Sequence, residues 1–473
     1  MKPLLTAEEM RAVELRAIRD WGIPSLVLQE HAAMGALAMI PGSAPINVLA
    51  GPGNNGGDAL ALARLAKLQG RSVEVWTLSP EPKWKGDAAL QAKLWEGIGG
   101  CFRHTSEPNT VVPAWRGWVV DGLFGLGARL PIDERLAPWA DALENGRSLD
   151  AIKVLALDLP TGLDPSSSVV PSAVLRANAT AAFGYLKRCH GLMPAKELCG
   201  EISLIALPLN TAPDCALFML SRPQLKNPHW DSNKYEHGHI AIRAGAKGMG
   251  GAAALAALGA LRGGAGLVTV MPDEDSANTI ACHVPEAIVR PWDGSLPPKV
   301  DVLVAGPGGV TDIPDWGGPL VLDASALKEG EGPKWLSRPQ TIITPHSGEF
   351  SRLFGFSPLK GFSERLDALG KLPMQCEGAL ILKGAQTLIA GGRSASAYVN
   401  PTGHPGLSTG GTGDFLAGLA AARLARNLKD PLAAACEAAW LHGEAADRLG
   451  AGPLIARDLG DSLAALMREL HGA

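Results

Sequence analysis

Residues 406–418 read GLSTGGTGDFLAG, and a helix-like run, DFLAGLAAARLARNL, begins inside this stretch at Asp414. A glycine-rich turn lets several backbone N–H groups converge on one point. The helix that follows adds its positive end, equivalent to roughly half an elementary charge. Together they make an anion site suited to phosphate, with Thr409, Gly410, Gly411, Thr412 and Gly413 as its rim. The pattern is not GxxxxGK[ST], which excludes a P-loop NTPase. Asp414 puts a carboxylate at the helix end that attracts anions. It either caps the helix, or it takes the proton of a hydroxyl attacking a phosphoryl group while the amide pocket holds the developing charge.

Similar turns end other apolar runs. In the second half, HGHIAIRAG, LVTVMP, VDVLVAGPGG, PLVLDAS, TIITPHSGE and ALILKGAQTLIA are strand-and-loop units, with a small-residue helix at GGAAALAALGALRGGAG. In the first half INVLAG, SVEVWTL, GWVVDGLFG and IKVLALDLP read as buried strands with helical segments between them. Such βαβ alternation predicts parallel sheets covered on both faces, with ligands at the C-terminal strand edge. The 473 residues suffice for two or three domains of ~150 residues. The stretch 207–233, rich in Pro and Asn, reads as the connection. The halves share an architecture but no sequence repeat.

Composition excludes several classes. A net charge of −4 gives no sign of a polyanion-binding surface. The seven cysteines form no CxxC pair, as for reduced thiols in a cytoplasmic protein. The N-terminus is an amphipathic helix start over about 6–20, with Thr6 and Glu9 as a capping box, and lacks a signal-peptide core. The apolar segment 250–271 is interrupted by Arg262 and glycines and is too broken to span a bilayer. Nucleic-acid and membrane partners are therefore not expected.

The G-x-G-D turn resembles the ribokinase-like superfamily. Further motifs narrow the match: NPTGHPGLSTGGTGDFLAG (400–418), TPHSGE (344–349), ILKGAQTLIA (381–390), VLDASAL (321–327), AGPGG (305–309) and GAKGMGGAAALAALGALRGGAGLVTV (245–270). In this order they resemble the ADP/ATP-dependent NAD(P)H-hydrate dehydratases. The resemblance implies phosphorylation of the hydroxyl of hydrated NADH or NADPH, then loss of phosphate. It makes Asp414 the base and Lys383 with residues 409–413 the nucleotide site. It places Gly308, Asp323, His346, Glu349 and Asn400 around the hydrate, and implies ADP or ATP as donor with Mg²⁺. From position alone, Lys383 reads equally as a solvated strand-end lysine and Glu349 as a helix cap. The family usually shows Asp-Ala-Asp where this chain has Asp323-Ala324-Ser325. His237 and His239 read as strand alternation rather than metal ligands.

INVLAGPGNNGGDALALARLAKL (46–68), VVDGLFGLG (119–127) and LALDLPTGLD (155–164) resemble the NAD(P)H-hydrate epimerase domain. This resemblance implies interconversion of the two hydrate epimers and a bound K⁺. Asn55, Asp121 and Thr161 match the ion site, Asp158 the acid–base group, and Asn54, Gly56, Gly57, Asp58 and Thr161 the substrate site. Asp58 reads equally as a helix N-cap, and Lys187 as a phosphate contact or a solvated lysine. Thr161 stands where Ser is usual, Ala59 where Gly is common, QEHAAMG (29–35) where the family has a Met-Glu-x-Ala-Gly-like element, and Asn178 where Asp is expected.

The expected architecture is α/β: a Rossmann-like three-layer epimerase-like domain over 1–218, a linker over 219–234, and a ribokinase-like α/β dehydratase domain over 235–473. The implied protein is a bifunctional enzyme acting on NADHX and NADPHX with ADP or ATP, and a homo-oligomer. The alternative is a ribokinase-like small-molecule kinase with a non-catalytic, nucleotide-binding N-terminal half.

Overall fold

A computed structural model describes the chain except residues 128–135, 210–212, 228, 358, 360, 373–375, 429, 451 and 473. The connection read over 207–233 therefore falls partly outside the described residues. The described chain forms two compact units, Pro3–Cys215 and Ala216–Ala473, the latter grouped with Met1–Lys2.

In the first unit seven strands form one sheet in the order Phe102–His104, Val73–Thr77, Ile46–Ala50, Gly117–Gly122, Ile152–Leu157, Ala179–Phe183, Glu201–Ile205. Every pairing is parallel. Alternation along the strands builds two cores. Val48, Val120 and Leu155 pack with the helices Ser25–Ala38 and Asn54–Leu68. Leu49, Val119 and Val154 pack with the helix Ala137–Ser148 on the other face. This is a three-layer arrangement, and the continuous apolar runs follow from burial on both faces.

The chain runs outward from Ile46–Ala50 through two strands, then returns to Gly117–Gly122 beside it. The strand order reverses there, and the crevice between the two C-terminal ends is the natural ligand site of an open parallel sheet.

The second unit repeats the logic. Its strand order is Ile288–Val289, Leu267–Val270, His239–Arg243, Val302–Ala305, Leu320–Leu322, Thr341–Ile343, Ala379–Leu382, Leu388–Gly391, Ser394–Val399, Leu217–Met219. The first seven are parallel; Leu388–Gly391 then pairs antiparallel on both sides. The mixed edge arises because ALILKGAQTLIA turns back within a few residues, too few for a crossover helix. The core joins Ile240, Val304, Val321 and Ile381 to the helices Gly250–Arg262, Thr412–Arg426 and Pro431–Asp447. The reversal lies between His239–Arg243 and Val302–Ala305, where Ala246 N donates to Gly308 O at 2.9 Å.

Among the described residues no helix is long and apolar enough to cross a membrane.

Candidate active sites

In the second unit the helix begins at Thr412, two residues before the apolar run suggests. Its N-cap is Gly411, at φ 92° with no side-chain cap. Only a residue without Cβ adopts this left-handed backbone at low cost. Asp414 therefore lies inside the first turn and does not cap the helix. Among the described residues no side chain caps the first turn, and Gly410 is exposed. The turn is held from below: Thr412 Oγ1 donates to Leu407 O (2.9 Å) and Thr409 O (3.1 Å). His442 Nε2 donates to Thr412 O at 3.0 Å. Burial lowers the His442 pKa to about 4, so the imidazole is neutral at physiological pH. No motif pointed to His442, because its helix and the turn lie thirty residues apart.

Asp323, Lys383 and Asp414 meet at the C-terminal edge of this sheet. Lys383 Nζ lies 2.6 Å from Asp323 Oδ1, which also accepts from Thr344 Oγ1 at 2.8 Å. A Cβ placed on Gly413 would stand 3.3 Å from Lys383 Nζ, so the ammonium lies under the first helical turn. Lys383 is thus ion-paired rather than solvated. Burial pulls its pKa down, but Asp323, Glu349 and Asp414 together outweigh that and raise it. Burial and the Asp323 charge lift the Asp414 pKa to about 6, against the opposing Lys383. The carboxylate is a better base than a free aspartate and stays mostly ionised at neutral pH.

The TPHSGE loop reaches the same place, with His346 bridged to Lys383 and Lys383 N donating to Pro345 O at 2.8 Å. His346 and Glu349 form a capping box. His346 Nδ1 accepts from Gly348 N and Glu349 N, and Glu349 Oε2 accepts from His346 N. The cap and the site are compatible for Glu349, whose charge acts on Lys383. Asn400 spends both amide hydrogens on Thr402 O and Ala439 O and so shapes the loop that leads to the turn. Gly308 lies at the strand-order reversal, at φ 69°.

In the first unit the helix starts at Asn54 with Gly53 as N-cap, so Asp58 lies in its second turn and caps nothing. Asn54, Asn55, Gly56 and Gly57 belong to the helix rather than to an open phosphate loop. A side chain on Gly56 would overlap the Gly51 carbonyl, so this glycine permits close backbone approach. Asn55 packs against the turn that follows Asp121: a Cβ on Gly125 would lie 3.3 Å from the Asn55 side chain, and one on Gly122 would lie 3.1 Å from the Asn55 carbonyl oxygen. Among the described residues neither polar atom of the buried Asn55 amide has a hydrogen-bond partner. Asp121 is fully buried and accepts from Thr161 N (2.7 Å), Thr161 Oγ1 (2.7 Å) and Leu123 N (3.3 Å). Burial raises its pKa to about 6 despite these bonds.

Asp158 follows the strand Ile152–Leu157 at φ 63°, a left-handed backbone unusual for a non-glycine residue. Its Oδ1 accepts from Phe183 N at 3.2 Å and from Lys187 Nζ. Lys187, 0% exposed, also donates to Phe183 O at 2.8 Å. The solvated reading of Lys187 is thus corrected: this lysine is the buried counter-ion of Asp158. Sequence order hid the pair, since twenty-nine residues separate them. Burial, then the charges of Asp158 and Glu14, raise the Asp58 pKa well above the ordinary aspartate range. Asn178 sits at the opposite edge, where Oδ1 accepts from Val154 N and Arg147 Nε. The departure from Asp there bears on the sheet and not on the Asp158 cluster.

Comparisons with known proteins agree on both halves. Residues 240–465 match the family described as NAD(P)H-hydrate dehydratase, and residues 26–189 that described as YjeF-related protein N-terminus. The bifunctional NAD(P)H-hydrate repair enzyme Nnr of Coxiella burnetii is 34% identical, over 97% of this chain and 98% of that one. That of Gloeobacter violaceus is 33% identical, over 95% and 94%. A solved ADP/ATP-dependent NAD(P)H-hydrate dehydratase from Bacillus subtilis, co-crystallised with ATP/Mg²⁺, is 30% identical and covers 53% of this chain and 95% of its own, at TM-score 0.47. With such identity sustained along nearly its whole length, the chain belongs to the family of bifunctional NAD(P)H-hydrate repair enzymes.

Proposed function

We propose that this protein repairs hydrated NADH and NADPH: the first unit interconverts the two epimers and the second dehydrates one of them at the expense of ADP or ATP. The observation that carries the second step is the Asp323–Lys383 pair beneath the uncapped helix turn that bears Asp414. The transferring phosphoryl group sits on the amides of Gly410, Gly411, Thr412 and Gly413, with Thr409 at the rim and Lys383 as a point charge. Asp414 takes the proton of the hydrate hydroxyl as its oxygen bonds to phosphorus. Phosphate then leaves, pushed by the ring nitrogen lone pair, and the resulting iminium loses a proton from the neighbouring ring carbon to water or the departing phosphate, which re-forms the double bond. Positioning and electrostatics supply most of the acceleration. Gly308, His346, Glu349 and Asn400 bound the hydrate pocket, and Asp323 holds Lys383 in place.

Among the described residues no group of three or more His, Cys, Asp or Glu is placed to hold a metal ion. Mg²⁺ is expected on the nucleotide phosphates. When bound, it neutralises phosphate charge. In the first unit the unpartnered Asn55 amide and the buried Asp121 carboxylate fit a K⁺. Asn55, Asp121 and Thr161 would hold it, and its charge would offset that of Asp121. Asp158 does the acid–base work on the hydroxyl group of the hydrated carbon, with Asn54, Gly56, Gly57, Asp58 and Thr161 around the substrate. All seven cysteines are free, in keeping with a reducing cytoplasmic setting, and the proposal extends to a homo-oligomer.

The test is to incubate the protein with mixed hydrated NADH, Mg²⁺, K⁺ and ADP or ATP, following reduced-nicotinamide absorbance. Full recovery of both epimers is the expected result. A plateau at one epimer would remove the role of the first unit, and a phosphorylated end product would indicate a simple kinase.

A further inference from the structure

The N-terminal helix Ala7–Asp20 brings one more carboxyl group to the Asp158–Lys187 pair. Leu4 and Leu5, in the strand before this helix, pair in parallel with Leu186 and Lys187. The helix starts on a capping box at Thr6 and Glu9, and Ala7 N donates to Ser166 Oγ at 2.9 Å. Arg11 donates to Leu126 O. Three loops at the sheet's C-terminal edge are thereby tied to one helix. Met10, Val13 and Ala17 form its buried stripe, and a Cβ on Gly184 would touch Met10 Cε at 3.0 Å. Gly184 lies in the segment that carries both Phe183 and Lys187. Glu14 follows one turn after Met10 on this same inward stripe and is half-buried, where an amphipathic helix would place an apolar residue.

Resting on the epimerase reading above, we infer that Glu14 is a second proton-exchanging group of that reaction, acting on the hydrate as the partner of Asp158. The charged groups that act on Glu14 are Asp158, Lys187 and Arg11, and Glu14 in turn acts on Asp58. Burial and then the Asp158 charge raise the Glu14 pKa to about 7, with Lys187 and Arg11 opposing. Lys187 is already committed to Asp158 and Phe183 O, so Glu14 holds a proton that it can lend.

Inversion at the hydrated carbon needs two proton transfers to open the ring and two more to close it. Asp158 takes the hydroxyl proton and the carbon–nitrogen bond of the ring breaks, its electron pair going to nitrogen. Glu14 delivers its proton to that nitrogen, leaving an open-chain aldehyde. After rotation about the carbon–carbon bond next to the aldehyde, Glu14 takes the proton back and nitrogen attacks the other face. Asp158 then returns its proton to oxygen. No proton or electron is gained or lost overall.

The experiment uses the full chain without nucleotide, so that only epimerisation is read, by chromatography of the two NADH hydrates from pH 5 to 9. The unmutated chain is expected to show an ionisation near pH 7. Glu14→Gln should slow interconversion about 100-fold and erase that ionisation, while Glu14→Asp restores part of the rate with a shifted profile. An unfolding transition of the first unit at the unmutated temperature reports that Glu14→Gln is folded, and dehydration on added nucleotide serves as the internal standard for the second unit. If Glu14→Gln will not fold, the profile of Glu14→Asp decides alone. Epimerisation within threefold of the unmutated rate in Glu14→Gln overturns the inference. So does a loss that keeps the ionisation near pH 7 and is not relieved by Asp, which would mean a packing role only. If the unmutated chain does not epimerise at all, the epimerase reading itself fails, and the inference falls with it.

Discussion

Asp414 shows what a single carboxyl group gains from its neighbours. Burial and Asp323 lift its pKa to about 6, so dehydration should rise with pH through about 6 as the base ionises. Asp414→Asn should lower nucleotide-dependent turnover about 1000-fold while nucleotide still binds, read by steady-state rates and calorimetric titration. Turnover close to normal would remove the assigned base. The stability effect has the opposite sign. A carboxyl group whose pKa is raised on folding favours the folded state below its unfolded pKa, and that benefit is lost as pH rises through about 6. Asp414→Asn should therefore gain stability relative to the unmutated chain by about 1–2 kcal/mol between about pH 3, where both states are protonated, and pH 8. Thermal unfolding at the two pH values checks this. Lys187 and Lys383 make a related point: in sequence each reads equally as a phosphate contact or a solvated lysine, and each is ion-paired to an aspartate from another strand end.

At the scale of elements, two helix starts decide the chemistry. The helix Thr412–Arg426 keeps its first turn uncapped by side chains, while His442 on the neighbouring helix holds the Thr412 carbonyl from behind. The helix Asn54–Leu68 starts four residues earlier than the run DALALARLAKL suggests, because Gly56 lets it press against Gly51. Gly56→Ala forces a methyl into a backbone carbonyl and should cost about 3 kcal/mol of stability in the first unit. It should also abolish epimerisation and leave dehydration in place. Calorimetric unfolding with both assays tests this, and an unchanged unfolding profile would contradict the close approach.

On the scale of the whole molecule, each unit has its own core and its own candidate site. A fragment spanning 216–473 should dehydrate the hydrate with a turnover within about tenfold of the full chain, and a fragment spanning 3–215 should interconvert the epimers. Assay of the two purified fragments decides this; an inactive but folded fragment would mean that its site is incomplete alone. Sequence by itself determined the α/β alternation, the glycine turns at strand ends and the family, because these depend on local periodicity and on contiguous motifs. Thus the G-x-G-D turn, the strand ends at Asp121, Asp158 and Asp323, and the capping box at Thr6 were all readable along the chain. Tertiary structure alone decided which charges act on one another: Lys187 on Asp158, Lys383 on Asp323, the charges of the first pair on Glu14, and His442 behind the anion turn. These contacts join residues far apart in the chain, and parallel crossovers bring them to one sheet edge. Burial there, which no local pattern reports, sets the pKa values on which the proposed chemistry depends.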